Sequence, residues 1–328
     1  MSRSLSTHPS CDQGQPPGRR FFGIQIATSR KERLLRTLLG VILCLMRLNF
    51  LSFKPRLIGV IAALMVGALH AAAQAPSPVM EEVPFITTPD HVTVAMLELA
   101  GVGPRDHVID LGSGDGRIVI TAARRFGARG LGVEIVPELV TRSQENALRA
   151  GVADRAQFRT QDLFQTDLTP ATVITMYLLP DVNLALRPRL LALAPGTRIV
   201  SHDWDLGDWR PDRTLTVAVP QKTVGREKVS HLHLWTVPAR LHGLWCGAAG
   251  VTLQVEQQFQ VLAMVLAQGD NRRSFTGRVD GARLHAVGAA AVAWSAQAGP
   301  DALDITSAAG LPGLAGQRLR RAVAASCG

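Results

Sequence analysis

Charge is thin in this chain. Only 19% of its 328 residues are Asp, Glu, Lys or Arg, against 47% hydrophobic residues. That balance excludes a disordered polyelectrolyte and describes a globular protein with an apolar extension. The net charge sits at one end. Residues 1–56 carry ten Lys and Arg against Asp12 and Glu32, and residues 57–75 carry none. From Pro76 onward 25 basic residues face 24 acidic ones. A folded part so nearly neutral has no bulk attraction for a polyanion, so nucleic acid is not expected as a partner. Aromatic residues are few, at 5%, and Tyr177 is the single tyrosine. Of four cysteines, Cys11 and Cys44 lie in the basic end, leaving Cys246 and Cys327. That pair has two readings, a bridge in an exported protein or two free thiols. No internal repeat is visible, and no long linker divides the chain.

The basic end reads as a leader. Lys54-Pro55-Arg56 precedes the apolar run Leu57–Ala73, and Ala73-Gln74-Ala75 supplies a small-x-small cleavage signature. Met46 suits a start, since Met46–Ala75 alone has the length of a signal peptide. The expected location is therefore exported (periplasmic), or anchored in the inner membrane through residues 57–73, with membrane contact only through this leader. The run is short for a span of about 20 residues.

From Pro84 strand-like and helix-like segments alternate, the pattern of a parallel α/β sheet. Helices are expected at Pro89–Leu99, Asp115–Phe126, Pro137–Ala150 and Leu184–Leu193, the last kinked or delayed by Pro188. Strands are expected at His107–Leu111, Leu131–Ile135, Ala156–Thr160, Thr172–Leu178 and Thr197–Asp203. Thr214–Val219 and Val229–Val237 then read as an antiparallel hairpin at the sheet edge. Beyond Arg240 the helical rhythm stops. Val251–Val255, Phe259–Leu266, Ser274–Val279 and Ala282–Val287 are strand-like, and the Ala/Gly-rich residues from Gly288 specify little. The expected organisation is an extension over 1–75, an α/β domain over 84–240 and a small β appendage over 241–328.

The chemistry concentrates at Asp110-Leu-Gly-Ser-Gly-Asp-Gly116, which ends the first strand and opens the next helix. Glycines there allow positive φ and let a ligand approach the backbone, and the helix start exposes N–H groups. A dinucleotide fingerprint places its third glycine three positions after the second. Here the glycines are Gly112, Gly114 and Gly116, and position 117 is Arg. The carboxylate of Asp110 suits a cofactor with a cationic amino group and sulfonium better than a pyrophosphate. Glu134, at the end of the second strand, is placed to take both ribose hydroxyls. Asp162 either accepts from an adenine amino group or caps a turn, and Leu163 and Phe164 offer backbone and an apolar wall.

Together these segments resemble the class I (seven-strand, Rossmann-like) S-adenosylmethionine-dependent methyltransferases over Pro84–Pro238. Three stretches are similar to the lysine methyltransferase family that includes the mitochondrial enzymes acting on the ATP synthase c-subunit and the adenine nucleotide translocase. They are Pro84-Phe-Ile-Thr-Thr-Pro89, Asp110-Leu-Gly-Ser-Gly-Asp-Gly-Arg-Ile-Val-Ile120 and Gly132-Val-Glu-Ile-Val-Pro-Glu-Leu-Val140. Exported bacterial relatives are similar also at Tyr177–Asn183 and Ser201–Asp203. The resemblance implies a fold of five parallel strands closed by the hairpin, with S-adenosyl-L-methionine as cofactor. It implies binding through Thr88, Asp110, Gly112, Ser113, Gly114, Gly116, Glu134, Asp162 and Leu163. The part after Arg240 has no counterpart in the mitochondrial enzymes.

Ligands of open α/β sheets sit at the C-terminal strand edge. The candidate substrate or base positions there are Tyr177, Asn183, His202 and Asp203. His231 and His233 share one face of a strand, but no third ligand accompanies them and no metal is expected. Trp204 and Trp209 either line a substrate mouth or pack the loop after the fifth strand. The favoured function is methyl transfer to a protein lysine or other amine. The alternatives are a small-molecule O/N-methyltransferase and an exported binding module without turnover.

Overall fold

A computed structural model describes residues 86–223, 227–323 and 326–327. The leader, its apolar run and the first two residues of Pro84–Pro89 lie outside the described residues. Among the described residues no helix is long and apolar enough to cross a membrane.

The first part of the chain builds a seven-stranded sheet in the order β3-β2-β1-β4-β5-β7-β6. Its strands are β1 (His107–Leu111), β2 (Arg129–Glu134), β3 (Ala156–Thr160), β4 (Val173–Met176), β5 (Arg198–His202), β6 (Arg213–Ala218) and β7 (Val229–Thr236). The first five are parallel and β7 is antiparallel to both β5 and β6. Alternation along the central strands feeds two cores. Val108, Val173 and Val200 meet α1 (Asp90–Leu99) and α2 (Arg117–Phe126) on one face. Ile109, Ile174 and Ile199 meet α4 (Pro180–Leu190) on the other. The third helix, α3 (Pro137–Arg149), packs beside α2 through Val140 and Ala147.

The fourth helix starts at Pro180, not Leu184. Proline at the first helical position costs no hydrogen bond, because that N–H has no intrahelical partner in any case. Pro188 stands inside the helix, which ends two residues later. The earlier start puts Asn183, Leu186 and Leu190 on one buried face.

Residues beyond Arg240 form a closed antiparallel barrel rather than a loosely specified appendage. Its eight strands are β8 (Gly243–Cys246), β9 (Val251–Gln258), β10 (Val261–Gln268), β11 (Asn271–Asp280), β12 (Arg283–Gly288), β13 (Ala293–Ala298), β14 (Ala302–Ala308) and β15 (Arg318–Arg321). The strands after Gly288 escape sequence reading because their inward residues are largely Ala, Leu and one Trp, with little β-branched signal. Trp245, Trp294, Leu253, Leu284 and Leu319 fill the interior. The barrel also contains a hidden duplication. Gly247 and Gly288 each precede a short 3₁₀ turn whose central alanine, Ala249 or Ala290, has positive φ, and Val251 and Val292 follow. The same offset carries β8–β11 onto β12–β15.

Barrel and sheet are joined through buried Gln260. Its Oε1 accepts from Trp209 Nε1 at 2.9 Å, and its Nε2 donates to the Arg210 carbonyl at 2.8 Å. Trp209 is fully buried and packs the loop after β5, whereas Trp204 is exposed.

Cys246 in β8 is bonded to Cys327, across 81 residues of sequence. A crosslink of that span restricts the unfolded chain, and its removal is expected to cost about 2–4 kcal/mol. Urea unfolding followed by tryptophan fluorescence should show a lower midpoint for the Cys246→Ser/Cys327→Ser variant. An unchanged midpoint would mean that the bond does not constrain the barrel.

Candidate functional site

A cavity of about 870 Å³ opens at the C-terminal edge of β1, β2, β3 and β4, within the range of small-molecule sites. Its walls include Thr88, Asp110, Gly112, Ser113, Gly114, Glu134, Asp162, Leu163 and Tyr177.

The glycine loop is shaped by its backbone. Gly112 has φ +76°, and a Cβ there would stand 2.9 Å from Leu178 Cδ2. Gly116 departs from the expectation of cofactor contact. It does not line the cavity, and a Cβ on it would come within 2.6 Å of the Phe158 ring, so it serves packing between α2 and β3. Glu134 pins the loop: its carboxylate accepts from the N–H of Gly114 at 3.0 Å, Ile135 at 2.8 Å and Val136 at 3.1 Å. Asp162 caps the 3₁₀ turn Leu163–Gln165 through Phe164 N–H while also facing the cavity.

Asp110 is buried and pairs in register with Thr175, whose Oγ1 donates to it at 2.7 Å. Burial, with the nearby charges of Glu134 and Asp115, pushes its pKa up to about 7, against the opposing Thr175 hydrogen bond. Ser113 Oγ is buried and has no hydrogen-bond partner among the described residues. A carboxylate kept from water with no cation beside it among the described residues, next to a hydroxyl orphaned among them, fits a ligand with a cationic amino group.

Arg117 carries a role that sequence reading missed. It holds Asp115 through Nε at 2.9 Å and Nη2 at 2.6 Å, and its Nη1 donates to the Thr88 carbonyl at 2.7 Å. Burial works against the charge of Asp115, but Arg117 holds its carboxyl below the usual range. The segment before α1 is thereby strapped to the glycine loop. The signal was an Asp-Gly-Arg run at the start of α2.

The expected catalytic positions divide. Tyr177 lines the cavity, stacks on His202 with ring centroids 3.9 Å apart, and donates to Asp203 Oδ2 at 3.3 Å. Burial and the Asp203 charge push its phenol up to about 12, so it stays protonated. His202 and Asn183 do not reach the cavity, which corrects their expected placement. His202 faces the α1 side of the sheet, with Thr88 Oγ1 3.2 Å from Nδ1 and Ser230 Oγ 2.7 Å from Nε2. Burial pulls its pKa down to about 4, so it is neutral with both nitrogens engaged. Asn183 is turned inward because α4 begins early, and its Nδ2 donates to Ser201 Oγ and to the carbonyls of Trp204 and Asp205. Asp203 lies one step beyond the wall with φ +63°. Burial opposes its charge, but Lys222, 2.6 Å from Oδ2, and the His231 N–H hold its pKa low. His231 and His233 bond Thr216 and Thr214, and among the described residues no group of three His, Cys, Asp or Glu could hold a metal.

The strand order and the glycine loop after β1 define a class I methyltransferase. A family model described as the ANTKMT methyltransferase domain matches residues 110–213. A protein-lysine N-methyltransferase of Saccharolobus islandicus is 44% identical over 41% of this chain and 85% of its own length. The adenine nucleotide translocase lysine N-methyltransferase of Mus musculus is 34% identical over 41% of this chain and 58% of its own. Among solved structures, an RNA methyltransferase from Salinibacter ruber in complex with S-adenosyl-L-homocysteine is 50% identical. That match covers 48% of this chain and 96% of the other, with TM-score 0.43. The chain belongs to the S-adenosylmethionine-dependent methyltransferase family that these lysine N-methyltransferases represent. It spans little more than half the length of the mouse relative.

Asp110 is expected to couple cofactor affinity to pH. With a free-protein pKa of about 7, it must ionise to meet a cationic amino group, so affinity rises as pH rises. Between pH 6 and 7.5 the dissociation constant should fall about eightfold. Calorimetry across that range should show the slope in the wild type. It should be absent in Asp110→Asn and with 5′-methylthioadenosine, which lacks the amino-acid end. A wild type as flat as the variant would remove Asp110 from that role.

Proposed function

We propose that this chain methylates a lysine side chain of a protein, binding S-adenosylmethionine in the cavity beneath Thr88. The observation that carries the reading is the Tyr177–Asp203 pair beside the cavity, where a carboxylate held ionised by Lys222 suits a primary ammonium group. The likeness to lysine N-methyltransferases favours the same class of acceptor. The near-neutral folded part argues against a polyanionic one.

When bound, the cofactor supplies an electrophilic methyl group on a sulfonium, and positioning of the amine in line with it provides most of the rate. Asp110 would face the cofactor's amino group, and Glu134, with three of its four lone-pair sites taken by loop N–H groups, would offer the fourth to a ribose hydroxyl. Asp162 and Leu163 would border the adenine. Thr88, fixed by Arg117 and His202, covers the cavity. Tyr177 keeps its proton and shapes the approach. Neither Tyr177 nor His202 is suited to take the amine's proton at neutral pH, so the amine sheds it to water.

From the leader we further propose that the protein is exported or held at the inner membrane by residues 57–73. The Cys246–Cys327 bond suits an oxidising compartment. A reporter fused after Gly328 should be active on the far side of the inner membrane, and a cytoplasmic signal would overturn this location.

Calorimetric titration with S-adenosylmethionine should give binding by the wild type and loss of binding in Gly114→Arg. Glu134→Ala should weaken affinity at least tenfold, because a ribose contact and the loop geometry go together. No binding by the wild type would sink the enzyme reading, and binding that survives Gly114→Arg would show that the site lies elsewhere.

A further inference from the structure

The folded part of this chain uses arginine almost exclusively as its cation. From Pro76 onward there are 23 arginines and two lysines, Lys222 and Lys228. Both lysines belong to the connection between β6 and β7. Because β7 is antiparallel to β5 and to β6, β6 runs in the direction of β5. The end of β6 therefore returns to the ligand edge of the sheet, where the cofactor cavity opens.

Lys222 does not reach into solvent there. Its Nζ donates to Asp203 Oδ2 at 2.6 Å and to the Val229 carbonyl at 2.7 Å. Asp203 Oδ2 is the same oxygen that accepts from Tyr177 at 3.3 Å, and Tyr177 is a wall of the cavity. Lys228 adds a hydrogen bond from its Nζ to the Lys222 carbonyl. Asp203 is held by backbone on both sides, donating its N–H to the His231 carbonyl at 2.6 Å and accepting from the His231 N–H at 3.0 Å. It keeps a left-handed backbone to do so. Non-glycine residues are kept in that region where the surroundings over-determine them, often at ligand clamps. Carboxylate and carbonyl together form a seat for a primary ammonium group, and the phenol of the cavity wall bonds the same carboxylate oxygen.

We propose that this seat is where the acceptor lysine docks as its ammonium group, before it gives its proton to water and enters the cavity as the free amine, and that Lys222 fills the seat from within the chain until an acceptor displaces it. The proposal rests on the lysine reading above. It explains why a lysine stands beside Asp203 in a fold that otherwise uses arginine. The planar guanidinium would pair with the carboxylate bidentately and resist displacement, whereas an ammonium exchanges for another ammonium of the same shape. The competition acts as a tax on acceptor affinity, set by the fraction of molecules whose seat is free.

The test uses the full chain, radiolabelled S-adenosylmethionine and poly-L-lysine as acceptor. Lys222→Gln should lower KM for poly-L-lysine about tenfold with kcat within about twofold, as expected when an internal competitor is removed. Lys222→Arg should keep KM at or above the wild-type value, and Asp203→Asn should raise it. Cofactor affinity by calorimetry should be the same in wild type and Lys222→Gln. An unchanged or raised KM in Lys222→Gln, loss of its cofactor binding, or an equal fall in Lys222→Arg would overturn the proposal and leave Lys222 a structural support. Poly-L-lysine methylated by none of the proteins, with cofactor binding intact, would instead overturn the lysine reading itself, and the seat with it.

Discussion

The site depends on one carboxylate gripping backbone. Glu134 gathers three N–H groups, one from the glycine loop after β1 and two from the turn after β2. Charge-assisted bonds of this kind are the strong ones, and here they fix two loops that have no ladder of their own. The grip has an electrostatic consequence next door. A carboxylate held there raises the energy of a second negative charge on Asp110, which burial has already made costly. The protein keeps both because parallel strands end at one edge, and the register of β1 against β4 brings Thr175 opposite Asp110.

Around this pair the structure is layered for access. Three helices cover one face of the sheet and α4 the other, leaving the C-terminal edge to loops. Arg117 and His202 hold Thr88 from two sides, so the segment before α1 is positioned by side chains rather than by secondary structure. Gln260 plays the corresponding part between sheet and barrel, satisfying both the Trp209 indole and a backbone carbonyl in a buried joint. A buried amide that satisfies its partners in both units specifies one docking geometry.

Much of this was legible in the residues. His107–Leu111 and Ala156–Thr160 have the bounds expected from their residues, and Asp110, Glu134 and the glycine loop line the cavity, as their places at strand ends implied. What failed did so for local reasons. Pro188 suggested a late helix, but Pro180 starts it, and that shift of one turn carried Asn183 from the mouth into the core. Strand alternation sent His202 to the α1 face while its neighbour Ser201 met Asn183, a distinction that motif reading does not make. Lys222 lay outside any motif. Only the direction of β6 brings it to Asp203. The duplication in the barrel was hidden because its matched positions, such as Leu253 with Trp294 and Val255 with Ala296, share burial and not identity.

The barrel's closure also sets an order of events. Its final ladder pairs Arg320 with Cys246 and Arg321 with Trp245, joining the first strand to the last. Every other barrel ladder links strands adjacent in sequence and can zip locally. This one must close a loop of most of the barrel's length, the slow kind of contact in folding. The seven-stranded sheet has no such dependence on the C-terminus. All its ladders lie at or before β7, so it can form while the barrel is still an open ribbon with two bare edges.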